Sequence, residues 1–120
     1  MNVGDYIRFG YHTLVLIEKV NKIEYEEKEN KNYYITENDF CADKEHIIKS
    51  SPDITDLLQP MDLIYVDIDD GFKSGIIVPR IAETQAELNL MINLIKSGKW
   101  ILKGVVTSEQ LDSMKYKVGE

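Results

Sequence analysis

Short segments with alternating or β-branched apolar residues dominate the first fifty positions and predict strands. A longer acidic segment, residues 37–45, predicts an irregular loop. Five short strands joined by tight turns are typical of a small SH3-like β-barrel or a strongly bent sheet. The predicted strands cover residues 5–9, 13–20, 23–26, 33–36 and 46–49.

The middle of the chain predicts a short helix and then a second β unit. Ser51, Pro52 and Asp53 suit the N-cap, the N1 position and the first turn of a helix that Pro60 stops. Residues 61–66 echo residues 3–9 and indicate a further strand. The Asp-Asp-Gly turn at 69–71 predicts a hairpin that leads into a strand at 75–78.

The strongest helix signal runs from Glu83 to Ser97. Thr84 and Glu87 have capping-box spacing, and the apolar residues at 88, 91, 92 and 95 follow helical periodicity. Gly98 suits the C′ position. After it we predict a strand at 100–106, a short helix at 107–114 and an edge strand at 116–118. The wide apolar face, broadened by Leu90 and Leu94, predicts a homodimer through this helix.

These elements together predict an α+β fold in two parts. Residues 1–50 form the small β-barrel-like unit. Residues 51–120 form a short helix, a hairpin, the main helix and C-terminal strands, with the option that both parts share one core. The most credible boundary follows the strand that ends near Ser50.

The net charge of the chain disfavours two classes of binding partner. The chain has 21 acidic and 14 basic residues, a net charge of -7, and residues 24–70 hold most of the acidic excess. This balance disfavours direct nucleic-acid binding and docking on anionic lipid, since both depend on Lys and Arg. The N-terminus lacks the features of a signal peptide, and the apolar stretches are too short for a membrane span. We therefore expect a cytoplasmic protein.

No motif in the sequence indicates catalysis, a metal site or a cofactor. Counting from Asp67, glycine is at position 5 instead of 6 and position 12 is Val78 instead of glutamate, so the acidic run does not match a calcium loop. Cys41 lies among carboxylates, which raise a thiol pKa instead of activating it. The glycines form no phosphate-binding loop, and the histidines do not cluster with the cysteine. We therefore expect no enzymatic activity.

Aromatic and acidic residues coincide in one stretch, which we take as a candidate partner-binding surface. It suits a basic protein surface better than nucleic acid. Two alternatives stay open: the rings pack in the core or at sheet edges, and the acidic residues only keep the protein soluble. The candidate residues are Glu24, Tyr25, Glu26, Glu27, Glu29, Tyr33 and Tyr34.

Three segments resemble a loose group of small, mostly uncharacterised proteins of phages and prophages of low-GC Gram-positive bacteria. They are VGDYIR at 3–8, IIKSSPDITDLL at 47–58 and VTSEQLDSMKYKV at 106–118. In that group the short helix precedes a Gly-Asp-Tyr-Val type strand, where this chain has Met61-Asp62-Leu63-Ile64. The resemblance implies a mobile-element origin and action inside a bacterial host, and it carries over no catalytic residue.

Two functional hypotheses follow. The first is a non-enzymatic protein-binding accessory factor that inhibits a host defence complex, such as a CRISPR effector, through the acidic and aromatic surface. The second is a small β-barrel module that binds nucleic acid or nucleotide and regulates phage gene expression. Its basic face would consist of Lys99, Lys103, Lys115 and Lys117.

Overall fold

A computed structural model describes residues 1–68 and 75–118. The chain is α+β, as predicted, and is built mostly of strands. Contacts along the backbone divide it into two compact units, Met1–Leu57 and Leu58–Glu120. Within the described ranges, neither helix has the length and apolar character needed to cross a membrane.

The first unit is one five-stranded antiparallel sheet with the order β4-β3-β2-β1-β5. The register shifts between Val20 and Lys22 in β2, and β-bulges of this kind bend a sheet. The sheet curls into a half-barrel, which brings β1 and β4 together although two strands separate them in the sheet. The strands are β1 (Tyr6–Tyr11), β2 (Leu14–Glu26), β3 (Lys31–Thr36), β4 (Cys41–Asp43) and β5 (Ile47–Ser51).

The curled sheet encloses an apolar core on its inner face. Ile7 and Phe9 of β1 are fully buried, and Phe9 packs against Phe40 with ring centroids 6.3 Å apart. Arg8 lies between them in sequence, so its side chain leaves β1 on the other face. It is also buried, and its Nη1 donates a hydrogen bond of 3.0 Å to the carbonyl of Leu57.

Three local predictions for this unit are wrong in informative ways. Residues 13–20 and 23–26 belong to one strand, β2, which bends at a bulge instead of ending. The acidic segment 37–45 contains β4 and a 3₁₀ turn, Lys44–His46. The predicted helix after residue 51 is a 3₁₀ turn, Ile54–Leu57. Ser51 ends β5, and Asp53 takes the capping position by accepting a bond of 3.0 Å from the Thr55 amide.

The second unit is a three-stranded sheet with two helices. Strand β6 is central and antiparallel to both neighbours, so β7 and β8 run parallel and α1 connects them as a split βαβ unit. The elements are β6 (Leu63–Ile68), β7 (Ile77–Ile81), α1 (Gln85–Lys96), β8 (Trp100–Val106) and α2 (Ser108–Val118). The hairpin turn predicted at 69–71 lies outside the described residues.

The caps of α1 are those that the sequence predicts. Thr84 Oγ1 accepts a bond of 3.2 Å from the Glu87 amide, and the Glu87 carboxylate accepts one of 3.0 Å from the Glu83 amide. Gly98 has φ +82°, the left-handed conformation that ends a helix. Leu88 is buried and α1 packs on β8, whereas Leu90 is 66% exposed.

Helix α2 has a second capping box. Thr107 Oγ1 accepts from the Gln110 amide at 3.2 Å, and Gln110 Oε1 accepts from the Thr107 amide at 2.9 Å. The helix continues to Val118, so the edge strand predicted at 116–118 is wrong.

Strand β7 forms one edge of this sheet and contains Pro79. Ile68 donates to the Ile76 carbonyl at 3.4 Å, and the register places Pro79 opposite Tyr65 in a pair that does not exchange hydrogen bonds. The proline nitrogen therefore faces the open edge, where no ladder bond is lost. This is the position at which a strand tolerates proline.

Candidate functional site

All seven candidate binding residues lie on one β-hairpin, formed by β2, β3 and the turn between them. Glu24 pairs with Tyr33, and Ile23 pairs with Tyr34. Glu27 and Glu29 lie in the turn. The candidate partner-binding residues therefore belong to one continuous structural element.

The hairpin has two faces, and the seven residues divide between them. Cross-strand partners share a face, so Glu24 and Tyr33 lie on one side with Asp43 of β4. Tyr34 lies on the other side with Ala42 and packs against the core. Tyr25 follows Ile23 by two positions and shares that side. The three tyrosines therefore do not form one continuous platform.

Lys31 is the centre of the polar face. Its Nζ lies 3.2 Å from Asp43 Oδ2 and 3.5 Å from Glu29 Oε2. It also lies over the Tyr33 ring, 5.1 Å from the centroid, which is a cation–π distance. The Tyr33 hydroxyl donates to Glu29. Five groups from β3, β4, the hairpin turn and the 3₁₀ turn thus form one network, which includes His46 through its bond to Asp43.

The network shifts the pKa values of Glu29, Lys31 and Asp43 in directions that favour their charged forms, and it holds the Tyr33 hydroxyl in its neutral, donating form. The hydrogen bond from Tyr33 lowers the pKa of Glu29, and the same bond raises the pKa of Tyr33. The bond to Asp43 and the contact with Tyr33 raise the pKa of Lys31. The bond from His46, followed by that from Lys31, lowers the pKa of Asp43.

A second ion pair lies on the same face of β2. Lys22 Nζ is 3.0 Å from Glu24 Oε1, and this contact raises the pKa of Lys22. Both side chains are 58% exposed, so the pair contributes little to stability. The pair places a positive charge next to the Glu24 carboxylate.

The tip of the hairpin keeps its negative charge. Glu26 and Glu27 form no side-chain ion pair with any residue that the structure describes, and both are exposed. Glu26 Oε1 accepts a weak bond of 3.2 Å from the Lys28 amide. Beside them, Tyr25 is 58% exposed and its hydroxyl bonds to Asn30. The tip thus presents two unpaired carboxylates and one anchored aromatic ring.

A cleft of about 530 Å³ opens beside the tip, where β4 ends and β3 continues. Its lining combines amides, both signs of charge and one ring: Asn30, Lys31, Asn32, Tyr34, Asp43, Lys44 and Glu45. Sequence reasoning missed the parts of the site that come from β4 and the 3₁₀ turn. The Cys-Ala-Asp segment is too short to show a strand pattern, and it forms β4 through its pairing with β3.

Cys41 lies on β4, two positions before Asp43. Burial of the thiol raises its pKa, and the charges of Glu24 and Asp43 raise it further. The direction is the one expected from the surrounding carboxylates. Within residues 1–68 and 75–118, no three His, Cys, Asp or Glu side chains are placed to hold a metal ion.

Comparison with known proteins gives no relative. No protein-family model, curated protein or solved structure matches the chain. The arrangement of the hairpin is therefore the basis for a functional inference.

Proposed function

We propose that this protein is a non-enzymatic binding factor whose β2–β3 hairpin tip docks on a basic protein surface. The observation that carries the proposal is the pair of exposed, unpaired carboxylates, Glu26 and Glu27, next to the exposed ring of Tyr25. Carboxylates attract a cationic partner over distance, and an aromatic side chain supplies contact area with little loss of entropy.

The internal ion pairs of the hairpin define which acidic residues are available. Glu24 is paired with Lys22, and Glu29 with Lys31 and Tyr33. These contacts order the polar face and place a lysine beside each of these two glutamates. The attractive charge is thus concentrated at the tip, and the binding surface proposed here is smaller than the full set of seven residues.

The partner class that we propose is a host defence nucleoprotein complex, such as a CRISPR effector, inside a bacterial cell. Such complexes hold nucleic acid in basic channels, which an acidic hairpin can occupy by electrostatic complementarity. We choose this partner class because of the resemblance of segments 3–8, 47–58 and 106–118 to phage and prophage proteins. In this proposal the half-barrel is an SH3-like module that presents the hairpin.

The test compares two doubly charge-reversed variants that have the same net charge, -7 + 4 = -3. Glu26→Lys with Glu27→Lys changes the tip, and Glu37→Lys with Glu83→Lys changes two exposed acidic residues elsewhere. Tagged wild type and both variants are used to capture partners from the lysate of a low-GC Gram-positive bacterium, with and without nuclease treatment, and the captured proteins are measured by quantitative mass spectrometry. Affinity for the purified captured complex is then measured at two salt concentrations.

We expect the tip variant to lose at least about tenfold in affinity and the control variant to keep it, with wild-type binding weaker at high salt. Equal binding by both variants would contradict the proposal. Capture that disappears on nuclease treatment, together with binding of a fluorescent 20-mer oligonucleotide, would instead favour the nucleic-acid module.

A further inference from the structure

One face of the three-stranded sheet in the second unit is apolar and exposed. Register and alternation place on it Leu63 and Tyr65 of β6, Ile77, Pro79 and Ile81 of β7, and Ile101 and Val106 of β8. We call this set the open sheet face. Tyr65 is 37% exposed, Ile77 54%, Ile81 42% and Ile101 49%. The opposite face holds Ile64 and Val66, which are buried, so the two sides of the sheet differ sharply.

The open sheet face is smooth at its centre. Gly104 lies opposite Tyr65, and a Cβ atom at Gly104 would be 3.8 Å from Tyr65 Cδ2. The tyrosine ring therefore lies over the glycine backbone and fills the gap that the missing side chain leaves. An apolar sheet face of this kind can pack against another sheet, about 10 Å away.

Two opposite charges interrupt the apolar surface. Asp67 lies on β6 and faces the same side as Tyr65, and Lys103 lies on β8 two positions after Ile101. The register shift between Tyr65 and Val66 leaves Lys103 without a partner on β6. Within the described residues, Asp67 and Lys103 form no ion pair with each other or with any other side chain.

We propose that the open sheet face binds the same face of a second copy of this chain. In a two-fold contact each residue meets its counterpart reciprocally, so Asp67 of one copy can pair with Lys103 of the other, twice. The face is therefore self-complementary in charge as well as in shape. An acidic partner or nucleic acid would find only one lysine on it, and a basic partner only one aspartate.

The size of the face sets the strength of this dimer. Its exposed apolar area is on the order of 400 Å² per copy, which is the size of a functional patch on a monomer. Two faces together bury on the order of 800 Å², which is less than the roughly 1,000 Å² of a stable specific interface and is the size of a weak, transient one. We therefore expect a reversible dimer that forms at roughly tens to hundreds of micromolar.

The experiment is sedimentation equilibrium of the full chain from 5 to 500 μM. We expect the weight-average mass to rise from 13.8 kDa toward twice that value. Ile101→Thr keeps a β-branched residue but removes apolar area, and we expect it to weaken the dimer at least about fivefold. Ile48→Thr is the matched control, because Ile48 is 58% exposed on β5 of the other unit.

A charge-swap series separates interface contact from general destabilisation. We expect Lys103→Glu to weaken the dimer and the double change Asp67→Lys with Lys103→Glu to restore it, whereas Lys49→Glu leaves it unchanged. Far-UV circular dichroism and an unchanged monomer mass identify folded variants.

Three results would overturn the proposal. One is a mass of 13.8 kDa at every concentration, which would leave the face to a different partner. Another is a dimer whose affinity is unchanged by Ile101→Thr but reduced by Leu90→Lys. That result would place the contact on α1. The third is failure of the double charge swap to restore association. None of these results bears on the hairpin tip, so the two proposals fail separately.

Discussion

Asp62 accepts a hydrogen bond of 2.9 Å from the amide of Ser108, which lies 46 positions later in the chain. The other carboxylate oxygen accepts one of 2.8 Å from the Gln59 amide. Asp62 is 2% exposed, and its negative charge lies at the N-terminus of α2, where helix amides carry partial positive charge. One buried side chain therefore joins the start of β6 to the start of α2.

We expect Asp62→Ala to destabilise the second unit by about 1–3 kcal/mol, because two partly buried amides lose the buried carboxylate that accepts from them. Trp100 is the single tryptophan and lies in β8, so its fluorescence during urea unfolding reports on this unit. The control Glu83→Gln changes an exposed carboxylate and should stay within about 0.5 kcal/mol. A loss as small as that of the control would show that Asp62 does not anchor α2.

Arg8 provides a comparable anchor in the first unit. We expect Arg8→Ala to lower the free energy of unfolding by about 2–4 kcal/mol, since it removes a fully buried side chain and the donor to the Leu57 carbonyl. Urea unfolding followed by far-UV circular dichroism measures this loss. Lys49→Ala is the control: Lys49 pairs with Arg8 in the β1–β5 ladder but is exposed, and we expect a change below about 0.5 kcal/mol.

The titration of Asp43 tests the polar network. Its folded-state pKa lies below the ordinary value of 3.8 because of the bond from His46 and then that from Lys31. The stabilisation that this carboxylate contributes is thus present above that ordinary value and is lost as the pH falls through the folded-state pKa. In a carbon-detected NMR titration, we expect His46→Ala and Lys31→Met each to move the Asp43 midpoint upward, and Lys28→Met to leave it in place. An unchanged midpoint in both network variants would contradict the contacts.

The reactivity of Cys41 tests the electrostatics of the same face. Since burial and the Glu24 and Asp43 charges raise the thiol pKa above 9.0, we expect iodoacetamide to modify Cys41 more slowly at pH 8 than a small reference thiol. Glu24→Gln should accelerate the reaction by less than about threefold. Glu37→Gln should leave the rate unchanged, and acceleration by both variants would indicate greater access instead of a lower pKa.

The parts of the fold that depend on local patterns were predictable from the sequence. The capping boxes at Thr84 and Thr107 and the C′ glycine at 98 depend on residues a few positions apart, and each is where the pattern places it. The alternation in the first fifty residues likewise predicted a bent, strand-rich unit. These signals are local because the hydrogen bonds that satisfy them are local.

The errors come from long-range effects. No local signal shows that β2 continues through the bulge at Val20, because continuation depends on pairing with β1 on one side and β3 on the other. Strand β4 has three residues and exists through its pairing with β3. The same limit applies to the candidate site. The sequence predicts its hairpin, but it does not predict the contribution of Asp43 and His46, which come from β4 and the 3₁₀ turn after it.

The proline in the edge strand of the second sheet has a consequence for behaviour at high concentration. An incoming strand at that edge would find no donor at Pro79, so the ladder could not extend across the β7 edge in continuous register. Growth of a fibre by strand addition is blocked there, even though isoleucines flank the proline on both sides. The protein can therefore keep an apolar sheet surface in contact with water without turning that edge into a template for aggregation.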